Sequence, residues 1–129
     1  LRNIKIDSQI IPNIIDEIPI LTIAGIFAEG DFVIEKVKEL RVKESDRIKS
    51  ICTNLKHLGL NVEESEDGFI VRGSIKNSNP VFESFGDHRI AMAFSILSMI
   101  LEKGGEVNGF ECVNISNPMF EEQISSIAF

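Results

Sequence analysis

No tyrosine and no tryptophan occur among the 129 residues, and the nine phenylalanines are scattered along the chain. Without an aromatic platform, stacking of single-stranded bases is not expected. Positive charge is also scarce: 13 Lys and Arg against 20 Asp and Glu give a net charge of -7. That balance disfavours nucleic acid and anionic membranes as partners, because both attract excess cations, so any anion site must be local. Only two cysteines are present, Cys52 and Cys112, far apart and outside any paired zinc-ligand spacing. They are read as buried thiols, and no metal is expected. The longest apolar run, Ile90 to Leu101, is too short for a bilayer and contains two serines. Nothing resembles a cleavable signal, so the expected compartment is the cytoplasm, with no membrane partner. The chain opens on Leu1 inside strand-like sequence, from which a fragment of something longer is expected.

What is present suffices for one core, since 43% of the residues are hydrophobic. Leu1 to Ile6 reads as a strand and Asp7 to Asn13 as a connector. Asp16 stands where an N-cap belongs, ahead of a helix from Ile18 to Ala28 that is apolar almost all round and therefore expected to be buried. Pro19 is tolerable in its first turn, and Gly30 can stop it. Phe32 to Val37 alternates as a strand. A second helix spans about Asp46 to Leu58, with Ile48, Ile51, Leu55 and Leu58 on one face and Lys49, Asn54 and Lys56 facing outward. "NVEESEDGFIVRG" then carries an Asp-Gly hairpin signal. A third helix runs from about Asp87 to Leu101, a strand is expected over Glu111 to Ile115, and Asn117 with Pro118 opens a last helix through Ile127. Asp16 to Asp87 and Asp46 to Asn117 are both steps of 71 residues. Two helix starts shifted by one distance suggest a duplicated unit, about 16–86, followed by the front half of another, 87–129, in a single partial domain.

Chemistry concentrates in two stretches. In "ELRVKESDRI", Arg41, Lys43 and Arg47 crowd together with Glu44 and Asp46 among them; in "GDHRIAM", Arg89 follows Asp87 and His88 at the start of an apolar helix. A cation in the first turn of a helix is unfavourable by a few tenths to about 1 kcal/mol. The bland alternatives are a solvated charge run for the first stretch and a salt bridge from Arg89 to Asp87 or Glu83. The repeated placement favours another reading. A helix mouth, where free N–H groups converge, becomes a better anion site when an Arg stands beside it. Glu44, between Lys43 and Arg47, would stay ionised and could shuttle a proton, and Asp16, otherwise a cap, could pair with it. His88 has three open readings: a structural histidine, a general acid or a ligand.

Together "DEIPIL", "ELRVKESDRI" and "GDHRIAMAF", in this order and spacing, closely resemble the C-terminal domain of the 5-enolpyruvylshikimate-3-phosphate synthase (3-phosphoshikimate 1-carboxyvinyltransferase) family. The resemblance covers nearly the whole chain. It implies an α/β fold of repeated helix-strand-helix-hairpin units, helices packed against sheets, incomplete here. It implies transfer of the carboxyvinyl group of phosphoenolpyruvate to the 5-hydroxyl of shikimate 3-phosphate, with release of phosphate and without metal or cofactor. By resemblance, Asp16 binds shikimate 3-phosphate and accepts a proton, Lys43 contacts the same substrate, and Glu44 handles the proton at the methylene carbon. Arg47 and Arg89 hold phosphoenolpyruvate, and His88 is a possible further site residue. Two positions depart from the pattern: Ile115 stands where many members carry a lysine, and Glu39 where some place an asparagine. The site of the family lies between two domains, so the missing N-terminal domain is an expected partner and the piece alone is expected to be inactive. The alternatives are a non-catalytic anion-binding or interaction module and a relative acting on UDP-N-acetylglucosamine.

Overall fold

The computed structural model describes residues 1–77 and 79–127, with the side chain of Ile115 outside the described set. The segment expected to be a connector is helical. After a 3-10 turn at Ser8–Ile10, α1 (Ile11–Ile14), a second 3-10 turn (Ile15–Glu17) and α2 (Ile18–Ile26) follow almost without a break. This run, Ser8–Ile26, is longer than the stretch at Ile90, and by length and composition it could cross a membrane. Ile11, Ile15, Ile18 and Ile23 from it lie in the protein's own core, as a core helix requires. Burial is one-sided, which corrects the expectation of a helix covered all round: Ile20 and Leu21 stay exposed. At Gly25 an added Cβ would come within 2.2 Å of the Phe32 ring, so the absent side chain is what lets α2 close on the first strand. The strand expected at the N-terminus shrinks to a single bridge between Arg2 and Glu29.

Three strands form an antiparallel sheet in the order β1 (Phe32–Ile34), β3 (Gly68–Arg72), β2 (Asn61–Ser65). The hairpin forms at the expected place, with Ser65 opposite Gly68 across the turn. Strand alternation buries Phe32, Ile34, Phe69 and Val71 on one face. Against that core lies α3 (Arg47–His57), contributing Ile48, Ile51, Cys52 and Leu55. Asp46 caps α3 by accepting from Lys49 N at 3.1 Å.

Asn54, expected to face outward, is fully buried. Its amide nitrogen donates to Glu83 O at 2.9 Å and its oxygen accepts from Glu83 N at 3.0 Å, so it satisfies the edge of a strand that local sequence did not announce. That strand, β4 (Val81–Glu83), pairs in parallel with β5 (Glu106–Asn108), and α4 (His88–Ile100) runs between them. Phe82 packs against Phe94 of α4 with the rings tilted by 45° and their centroids 4.9 Å apart. The strand expected at Glu111 to Ile115 is instead a 3-10 turn (Phe110–Cys112) followed by α5 (Val113–Ser116). The cause is Gly109, which takes φ 72° and turns the chain after β5, with its carbonyl held by the Ser84 hydroxyl at 2.9 Å. The last helix, α6 (Phe120–Ile127), begins three residues after Asn117 and buries none of its side chains.

Candidate active site

The mouths of α3 and α4 meet. Asp87 is the N-cap of α4, accepting from Arg89 N at 3.0 Å and Ile90 N at 3.5 Å. The same carboxylate receives Arg47, the first residue of α3, through two nitrogens: Nε to Oδ2 at 2.8 Å and Nη2 to Oδ1 at 3.2 Å. Ser45 Oγ donates to it at 2.9 Å. Both partners of the Asp87–Arg47 pair are buried. A two-nitrogen fork with every lone pair engaged is the geometry that lets such a pair survive desolvation. Burial pushes the Asp87 carboxyl up, yet the bonds from Arg47 and Ser45 and the guanidinium charge outweigh it and hold the group below the usual carboxylate range.

The remaining Arg47 nitrogen, Nη1, reaches Asp16 Oδ1 at 3.2 Å, and Lys43 Nζ reaches the same oxygen at 3.3 Å. Asp16 therefore does not cap α2. It sits within the 3-10 turn Ile15–Glu17, and α2 has no side-chain cap bond. Partial burial acts upward on Asp16, but the Lys43 bond and the charges of Lys43, Arg47 and Arg89 prevail, so its carboxyl lies below the ordinary value. Glu39 stands 3.5 Å from Lys43. Glu44 accepts from His88 N at 3.3 Å, and its carboxylate lies 2.7 Å from His88 Nδ1. Arg89 pairs with neither Asp87 nor Glu83 through its side chain; Nη1 meets both oxygens of Glu17, at 3.2 and 3.3 Å.

One expectation needs correction. The first amides of α4 are not free, because Glu44 accepts from His88, and Asp87 from Arg89 and Ile90; at α3, Asp46 accepts from Lys49. At α4 an incoming anion meets side-chain cations rather than open N–H groups. Of these, Arg47 is almost enclosed, with a side chain 4% exposed, whereas Lys43 is 25% and Arg89 36% exposed. Arg89 also lines a cavity of about 280 Å³ with Asp16, Glu17, Met92, Ile96 and Phe120. That is near the lower end of the range of small-molecule sites, roughly 300–1,000 Å³. A larger cavity of about 530 Å³, between α4 and α6, has no cation among its described lining residues.

Glu44, Asp87 and His88 bring three potential ligand atoms within 4.8 Å of one another. Asp87 is spent on Arg47 and Ser45, and the guanidinium beside it opposes a second cation, so this set is a hydrogen-bond network rather than a metal cage. Sequence reasoning named Asp87 only as a helix start and a possible partner of Arg89, and did not single out Ser45 or Glu17. Each adjoins a residue that was singled out, and an Asp directly before an Arg-bearing helix was the available signal for the first.

Outside this centre, Arg41 ties the hairpin to the α3 cap. It donates to Asp46 at 3.0 Å, to Glu64 at 3.0 Å and to Ser65 O at 2.7 Å.

Fold and site together define a mixed α/β domain whose charged groups gather where two helices begin. The chain belongs to the EPSP synthase (3-phosphoshikimate 1-carboxyvinyltransferase) family, whose sequence profile matches residues 2–124. The 3-phosphoshikimate 1-carboxyvinyltransferase of Sulfurihydrogenibium sp. (strain YO3AOP1) is 46% identical over 128 residues, covering 99% of this chain and 30% of that protein. That of Aquifex aeolicus (strain VF5) is 46% identical over 127 residues, with 98% and 30% covered. A solved EPSP synthase from Acinetobacter baumannii superposes with a TM-score of 0.85 at 35% identity, covering 99% of this chain and 30% of that one. The chain thus spans about 30% of the length of these relatives.

Proposed function

We propose that this chain supplies one wall of the active site of a cytoplasmic enzyme that moves the carboxyvinyl group of phosphoenolpyruvate to the 5-hydroxyl of shikimate 3-phosphate. In that reaction the hydroxyl oxygen bonds to C2 of phosphoenolpyruvate and a proton adds at C3. The tetrahedral intermediate then loses phosphate from C2 and a proton from the C3 methyl group. Asp16 accepts the hydroxyl proton, Lys43 contacts shikimate 3-phosphate, and Glu44 handles the proton at C3 with His88 bonded behind it. Arg47 and Arg89 hold phosphoenolpyruvate, Arg89 from the cavity wall and Arg47 from beneath, where it also orients Asp16. A second domain of the same enzyme supplies the facing wall, and residues 16–86 and 87–129 are one repeat unit and the front of the next.

The observation that carries this reading is a single ion-pair network joining Asp16, Lys43, Arg47 and Asp87 from three separate segments, with Arg89 flanking it on the cavity. Asp16 is ionised and so able to accept a proton at neutral pH; its lowered carboxyl makes it a weaker base, which the same surrounding cations offset by favouring a developing alkoxide. The test is phosphate release from phosphoenolpyruvate and shikimate 3-phosphate by the complete protein carrying this segment; the 129-residue chain alone releases none. Glu44→Gln lowers kcat about 100-fold or more while changing KM for phosphoenolpyruvate less than about threefold. No turnover by the complete protein, turnover with UDP-N-acetylglucosamine instead, or a Glu44→Gln defect confined to KM would overturn the reading.

A further inference from the structure

Arg89 and Arg47 are held in different ways. Arg47 meets Asp87 through two nitrogens in a buried fork, at 2.8 and 3.2 Å. Arg89 meets Glu17 through one nitrogen shared between both carboxylate oxygens, at 3.2 and 3.3 Å, with side chains 36% and 52% exposed. A shared single-nitrogen contact in partial solvent is the weaker arrangement and leaves the rest of the guanidinium available. Glu17 also lines the same cavity as Arg89, on the last residue of a short 3-10 turn. A phosphate or carboxylate arriving at Arg89 would stand beside the Glu17 carboxylate, and like charges at that distance repel.

We infer that Glu17 is a tethered competitor at the anion subsite. In the empty site it pairs with Arg89 and keeps the guanidinium on the cavity wall, and it swings into solvent when an anion takes its place. The inference rests on the reading of Arg89 as a phosphoenolpyruvate contact. Its consequence is a standing discount on affinity for any anion bound there, of the size of an exposed ion pair, about threefold to fivefold.

The test uses the complete protein carrying this segment, with Glu17→Gln and, separately, Arg89→Gln. For Glu17→Gln, KM for phosphoenolpyruvate and Ki for inorganic phosphate are both expected to fall about threefold to fivefold, in step, because the competitor acts on whichever anion occupies Arg89. A merely structural Glu17 would lower the melting temperature or kcat without tightening phosphate inhibition. If Glu17→Gln leaves both constants unchanged or raises them while Arg89→Gln raises both tenfold or more, the competitor is refuted and the anion site stands. If Arg89→Gln leaves both constants unchanged, the site reading itself fails, and the inference with it.

Discussion

Replacing Asp87 with asparagine removes one charge from the centre of the site and, with the capping oxygen kept in place, turns Oδ2 into an amide donor that faces Arg47 Nε. Asparagine has the same shape and is as good an N-cap, so its oxygen can still accept from Arg89 N and Ile90 N. The Ser45 hydroxyl, now facing an amide group, can turn to accept instead of donate. The guanidinium of Arg47, 4% exposed, thereby loses a fully buried counter-ion and the acceptor of its Nε–H, and keeps only the half-exposed Asp16 as a charge partner. Breaking a buried pair by removing one partner costs about 3–5 kcal/mol. With the cap retained and Asp16 still in contact, the lower end applies, about 3 kcal/mol, or a melting temperature lower by roughly 10 °C. Denaturant and thermal unfolding followed by circular dichroism measure both. The double variant Arg47→Met/Asp87→Asn has no buried charge left and should recover at least half of the loss. A single variant within about 1 kcal/mol of the parent, or a double variant as unstable as the two singles added, would refute the claim that this pair is desolvated and coupled.

Acid should unfold the protein through the same groups. In Asp87 and Asp16 the folded-state carboxyl titrates below its unfolded value of about 3.9, so the stability they add is fully present above that pH and is lost as pH falls below about 4 through the folded-state values. Urea midpoints at pH 7, 5 and 3 should drop chiefly in the last interval, and by less in Asp87→Asn; an equal drop in both proteins contradicts the assignment. The thiols should differ in reactivity. Burial pushes Cys52 up to about 12 and leaves it fully enclosed, while Cys112 is raised but only half-buried, so a disulfide reagent at pH 8 labels Cys112 first and Cys52 only as the protein unfolds. Rapid labelling of Cys52 in the native protein would contradict its burial.

Features that a few neighbouring residues enforce could be read directly. The Asp46 cap opens α3 where expected, the hairpin forms at the Asp-Gly pair although the turn itself is Glu66-Asp67 with Gly68 already in β3, and the apolar spacing of Ile48, Ile51 and Leu55 puts that face in the core. The errors share a cause, which is a partner far away in the chain. Asn54 looks like a solvent-facing residue until β4 arrives to be bonded by it, 29 residues on. Asp16 looks like a cap until Arg47 and Lys43 claim it. The segment after Gly109 has strand-like composition, but the left-handed turn, locked by Ser84 from 25 residues earlier, sends it into helix.

The candidate site follows the same division. Local chemistry selected its charged residues, because cations at helix starts and a carboxylate set between them are unusual enough to stand out without any fold. Which carboxylate neutralises which cation was decided by packing alone: Arg47 finds Asp87 across 40 residues, His88 finds Glu44 across 44, and Arg89 finds Glu17 across 72. An ion pair depends on a distance in space, steeply so once water is excluded, and nothing in the order of residues along the chain carries that distance.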